Sequence, residues 1–212
     1  MSTWPWRQVE GTGIAREAAI ILQTLDTVVP DGEGAYLAAP ISTGRRYYEA
    51  LAATGTSNYA ELIAAIGLNR YLETVRWPNV ADGERIAADL RKRGVPFVIN
   101  TGPLMFSGWH GSDYMELCYA LIAKKVRQVY FHPEWAFSHG AVKQFLFCTG
   151  RNLPCRHIDG TPLTINQAQA ALADACRQLR NLSLGVHGFE TRLRELEAVA
   201  GAAVSGTERP ML

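Results

Sequence analysis

Hydrophobic residues along this chain recur at two periods, every third or fourth position and in short unbroken runs, and the switches between them divide it into elements. Ile14, Ala18, Ile21, Leu22 and Leu25 share one helical face, which predicts a helix from Gly13 to Leu25 before the turn Pro30-Asp31-Gly32. Ala35 to Pro40 is an apolar run of strand length, and helical spacing resumes from Tyr47. Residues 51 to 80 hold two moderately apolar helical pieces, Ala60 to Ile66 and Asn69 to Val75. They are split by Gly67 and closed by Trp77-Pro78, and read as an insertion or lid. Glu84 to Arg93 keeps Ile86, Ala87 and Leu90 on one face, carries basic residues at its end and stops at Gly94. Val95 to Asn100 is the next strand.

The second half repeats the alternation. A helix is predicted from Asp113 to Lys125, a strand from Val126 to Phe131, a loop through Pro133 and Ser138-His139-Gly140, and a helix with Ala141, Phe145 and Cys148 on one face. A strand near Pro154 to Ile158 follows. Thr164 and Gln167 then have capping-box spacing ahead of a helix to Leu179, and Leu193, Leu196 and Val199 mark a final helix over 190–200 with a loose tail behind it. Strands separated by helices call for right-handed crossovers and a parallel sheet covered on both faces. The expected fold is therefore α/β, a flavodoxin- or Rossmann-like parallel sheet with N- and C-terminal helical extensions. It divides into an arm and helix over 1–34, the α/β domain over 35–180 and a C-terminal helix and tail over 181–212.

Composition narrows the function. Twenty-one basic and 20 acidic residues give a formal charge of +1, which disfavours a nucleic-acid partner, since such a footprint needs many phosphate contacts. Four cysteines with no C-x-x-C pair read as buried thiols, and the dispersed histidines show no metal-ligand spacing, so neither metal nor cofactor is expected. No segment approaches about 18 consecutive apolar residues and no leader pattern opens the chain, so the expectation is a cytoplasmic protein without a membrane partner. Trp4 and Trp6 around Pro5 suggest an arm packing on the body or on a neighbouring subunit.

Candidate chemistry lies in the loops that follow strands, where backbone N–H groups at helix N-termini face a ligand. Val129 to Cys148 joins strand, polar and aromatic loop, and helix. Ser138 and Gly140 open that helix in a form suited to a phosphate or sugar hydroxyl, and Pro40, Ile41, Ser42, Arg45 and Arg46 form a second such loop. The other reading of Ser42 and Thr43 is a helix cap beside solvated arginines. Asn100 ends the second strand, and Trp109 and Trp135 are candidates for stacking on a planar ligand or for packing.

Three of these pieces resemble the nucleoside 2-deoxyribosyltransferase-like superfamily, in particular its small bacterial and phage branches. Tyr36-Leu37-Ala38-Ala39-Pro40-Ile41-Ser42 is similar to that family's YLAGP start, and the unit ending in Phe97-Val98-Ile99-Asn100 to its second strand and Asn-containing loop. The stretch from Asp113-Tyr114-Met115 through Val129 to Ala141 resembles its helix, strand and PGW-x-x-S-x-GA loop, and the likeness spans residues 35 to 160. What the resemblance implies is a nucleoside or nucleotide N-glycosidic-bond enzyme, a deoxyribosyltransferase or hydrolase, in which a Glu attacks the anomeric carbon as in a retaining glycosidase. Its substrate would be a small nucleoside or nucleotide. A homo-oligomer is expected, because sites of that family are often completed by a neighbouring subunit.

Carried over residue by residue, the nucleophile position falls on Gln144 and the family's helix Asp on Cys118. An amide does not ionise and is a poor nucleophile. A replacement carboxylate is available from Glu116 or Asp113 near the start of the preceding helix, or from Glu134 where the family has Gly; water could also attack with one of these as general base. Their ordinary roles are dipole-matched residues at a helix start and a loop surface charge, with Gln144 as a hydrogen-bonding pocket residue. The alternative function is a catalytically inactive nucleotide-binding or assembly protein that kept the pocket and lost the carboxylates.

Overall fold

The structure, a computed structural model, describes residues 13–205; the Trp4-Trp6 arm and the end of the tail lie outside them. Four parallel strands form one sheet: β1 (Gly34–Ala38), β2 (Val98–Ile99), β3 (Val126–Phe131) and β4 (Cys155–His157), in the order β2-β1-β3-β4. This is the expected α/β, flavodoxin-like arrangement. Every residue of β1 is buried, as a central parallel strand requires, and its side chains alternate between faces. Tyr36 and Ala38 join the main core. Ala35 and Leu37 join a smaller one with Ile86, Ala87, Leu90, Val98 and Tyr130.

The helices are α1 (Gly13–Val28), α2 (Arg45–Thr54), α3 (Tyr59–Ile66), α4 (Leu68–Tyr71), α5 (Trp77–Lys92), α6 (Gly111–Lys125), α7 (His139–Thr149), α8 (Ile165–Asn181) and α9 (His187–Ser205). Helix α5 covers the smaller core, while α6, α7 and α8 pack into the larger one. The terminal extensions dock on the same body. Ala18 of α1 and Phe189 and Leu196 of α9 are buried in the main core, and Arg180 of α8 pairs with Glu190 of α9. The Thr164–Gln167 capping box forms as expected, with side chains of both residues closing on the other's backbone.

One expectation fails. Trp77-Pro78 does not close a helix; it lies inside a nearly continuous run from Leu68 to Lys92, in which Leu72–Arg76 forms a π-type turn between α4 and α5. Proline lacks an N–H and its ring crowds the carbonyl four residues back, so an unbroken α-helix through Pro78 would be costly. The wider turn relieves this, with the Trp77 N–H donating to the Leu72 carbonyl. The second predicted strand also shortens, from 95–100 to Val98–Ile99, because Phe97 takes a positive φ of 47° and is exposed.

Candidate functional site

In an open parallel sheet the crevice lies where connections leave neighbouring strands in opposite directions, here between β1 and β3. A cavity of about 300 Å³ opens there, outside the carboxyl ends of the strands and between α6 and α7, at the small end of the range for small-molecule sites. The loop after β1 contributes Ile41, Ser42 and Thr43; the loop after β2, Asn100, Thr101 and Leu104; α6, Tyr114, Met115 and Cys118; and the start of α7, Ser138 to Ala141 with Lys143 and Gln144. Arg76 reaches it from the π-type turn.

Local chemistry sets each wall. After β1, Gly44 stands at φ 110°, and a Cβ there would come within 2.7 Å of the Pro40 ring, so the turn into α2 requires glycine. Asn79 braces the same loop, donating to the carbonyls of Ile41 at 3.1 Å and Thr43 at 2.8 Å. At α7, the Ser138 hydroxyl accepts from the Ala141 N–H and caps the helix, a contribution of about 1 kcal/mol. His139 lies flat on Phe189 with ring centroids 4.1 Å apart, which Gly188 permits: a Cβ at 188 would reach within 2.8 Å of the imidazole.

The floor is a buried polar cluster centred on Tyr36. Its hydroxyl receives the Gln144 Nε2–H at 3.2 Å and lies 3.0 Å from Cys118 Sγ and 2.9 Å from Thr101 Oγ1. The positions that the family resemblance assigned to a nucleophile and its partner, Gln144 and Cys118, thus meet at one phenol. Burial holds the Tyr36 hydroxyl well above its ordinary titration range and also pushes the Cys118 thiol up. With a non-ionising amide and a threonine hydroxyl beside them, the floor is neutral at physiological pH.

The candidate carboxylates lie elsewhere. Glu116 is solvent-exposed and off the cavity. Asp113 accepts from the His110 N–H at 2.6 Å and closes a capping box at the start of α6. Glu134 pairs with Arg45 Nε at 2.9 Å, and Arg45 also donates to Gln178 and stacks on the Phe137 ring. Arg46 turns to Asn79 and Asp82. Trp109 is buried against Phe106 and Tyr114 with its indole N–H on Glu17, and Trp135 is buried against Phe131 and Phe145, so both tryptophans pack rather than face the cavity. Pro40 is buried beside Gly44 and off the lining. Of the sequence candidates, the cleft gathers Ile41, Ser42, Asn100, Ser138, Gly140 and Gln144.

Arg76, Lys143 and Thr101 are lining residues that sequence reading did not select, whereas Cys118 was reached only through the resemblance and Tyr36 only as part of a motif. No Asp or Glu lines the cavity, and among the described residues neither Arg76 nor Lys143 has a carboxylate partner. No group of three His, Cys, Asp or Glu side chains suited to a metal occurs among the described residues, and no described helix is long and apolar enough to cross a membrane. Compared with protein-family models, with curated proteins and with solved structures, the chain matches none.

Proposed function

We propose that this cleft binds a small phosphorylated ligand, a nucleoside 5′-monophosphate or close analogue, and does not cleave its N-glycosidic bond through an enzymic carboxylate. The observation that carries the reading is the lining itself: two cations without carboxylate partners and not one Asp or Glu. Attack at an anomeric carbon ordinarily uses a pair of carboxylates beside it, and the groups on the floor are an amide, a phenol held neutral by burial, a thiol and an alcohol. The same groups suit recognition. Neutral donors and acceptors match sugar hydroxyls and base edges, Ile41, Leu104 and Met115 offer apolar surface, and Arg76 and Lys143 favour an anion.

The test is incubation of the purified protein with a panel of nucleosides and their 5′-monophosphates, following thermal unfolding and, by liquid chromatography, free base. The expected result is an upward shift of Tm with a monophosphate and no base released. A ligand at a hundred times its Kd adds about 2.7 kcal/mol, a readily measured shift. Base release that is lost in Glu116→Gln or Glu134→Gln would overturn the reading and restore an N-glycosidic enzyme with a carboxylate brought in by movement.

A further inference from the structure

Residues 51 to 80, read from the sequence as an insertion or lid with no function attached, acquire a role through the π-type turn. Tyr71 and Arg76 are five residues apart, which in a 3.6-residue helix would put them about 140° apart around the axis. A turn closed by i to i+5 bonds brings such a pair onto one side. Both residues then act on the same loop: the Tyr71 hydroxyl donates to the Ser42 carbonyl at 2.7 Å, and Arg76 Nη1 donates to the Ser42 hydroxyl at 3.2 Å. Arg76 Nη2 reaches across to the Leu104 carbonyl at 3.3 Å, so one guanidinium bridges the two loops that form one side of the cavity.

The bonding of Arg76 is incomplete. Its two acceptors are neutral, and Nε is buried with no partner, the only such side-chain polar atom among the described residues. Arg45 and Arg46 on α2, by contrast, each hold a carboxylate. A guanidinium has five donors in a planar fork that matches two oxygens of one phosphate, and a buried donor without an acceptor is costly. We infer that Arg76, turned toward the cleft by the π-type turn, receives the anionic group of the ligand and joins it to the loops carrying Ser42 and Leu104. This rests on the nucleotide reading of the cleft only in the choice of probe.

The experiment is calorimetric titration of the wild type, Arg76→Gln, Arg76→Lys and Lys143→Gln with a nucleoside, its 5′-monophosphate and ribose 5-phosphate. The quantity of interest is the ratio of monophosphate to nucleoside affinity, which a general loosening of the cleft would leave unchanged. In Arg76→Gln that ratio is expected to fall at least tenfold while nucleoside affinity stays within about threefold. Arg76→Lys should recover part of it, because charge returns without the fork. The inference is overturned if the wild type shows no preference for phosphorylated ligands, if Arg76→Gln weakens both ligands equally, or if only Lys143→Gln removes the preference. Should ribose 5-phosphate bind as well as the nucleotide and still depend on Arg76, the inference stands and the nucleotide reading fails.

Discussion

The two ends of the sheet treat positive charge in opposite ways. At the amino end of β3, Lys125 is only 1% exposed, yet its ammonium donates to the Val29 carbonyl at 2.9 Å and meets Asp26 and Asp31 at 2.6 Å each. Burial alone would push that ammonium's pKa down; the bonds to Asp26 and Asp31 outweigh it and hold the group above its ordinary range. At the carboxyl end of the same strands, Arg76 and Lys143 face a cavity with no carboxylate. Matched charge ties α1 and the β1 approach to the sheet, whereas Arg76 bonds only neutral groups of the Ser42 and Leu104 loops and, like Lys143, has no carboxylate among the described residues, which is the charge the proposed anionic ligand would meet.

Exchanging lysines at the two ends gives the largest expected contrast. Lys125→Ala removes a fully buried stem and strands the Val29 carbonyl, and should cost about 3 kcal/mol in urea unfolding. Lys143→Gln should leave stability within about 0.5 kcal/mol, as for a surface substitution away from any partner. If the Lys143 variant were the less stable of the two, Lys143 would have a structural partner and the contrast between the ends would collapse.

A smaller effect is expected at the neutral floor. Tyr36→Phe deletes the hydroxyl shared by Thr101, Cys118 and Gln144 and leaves three buried polar groups to find new partners, at about 1–2 kcal/mol. Denaturant unfolding measures the loss. An unchanged or raised stability would mean that the three groups satisfy one another and that the phenol is not the centre of the floor.

Much of the fold was legible because its signals are local. Strand β3 occupies Val126 to Phe131 as periodicity predicts, and the alternation of strands and helices was sufficient for the parallel sheet. The Thr164 box could also be read from spacing alone. The π-type turn could not: Trp77-Pro78 carries the signal of a helix end, and only packing of Tyr71 and Val75 into the core keeps the helix going through it. The site was half legible. Gln144, Ser138, Tyr36 and Cys118 lie in or beside the matched motifs, but nothing local joins them at one floor, Thr101 comes from the loop after β2, and Arg76 comes from a separate element. A tyrosine in a strand of small apolar residues was a further clue, since a buried hydroxyl needs partners.

The weakest expected difference between the ends lies in their response to acid. His132 and His139 flank the loop beside the cleft, and burial is the first cause that lowers the pKa of each. Glu134 and Asp82 pull His132 the other way and do not prevail, and Lys143 and Arg192 lower His139 further. His132 is also bound in its neutral form, with Nδ1 accepting the Glu134 N–H at 3.0 Å. Since the folded values lie below the unfolded value of about 6.5, the unfolded chain takes up protons first as pH falls. Stability supplied by the neutral rings is therefore complete above that value and is lost as pH falls through the folded ones. Asp26, held below the usual carboxylate range first by its bond to Lys124 and then by Lys125, adds its own loss only at still lower pH. Urea midpoints at pH 7.5, 6 and 5 should decline in the wild type and decline less in His139→Phe, which keeps a ring against Phe189. A midpoint that rises on acidification would show that the folded protein prefers charged histidines, and the carboxyl end of the sheet would then hold an acceptor for them.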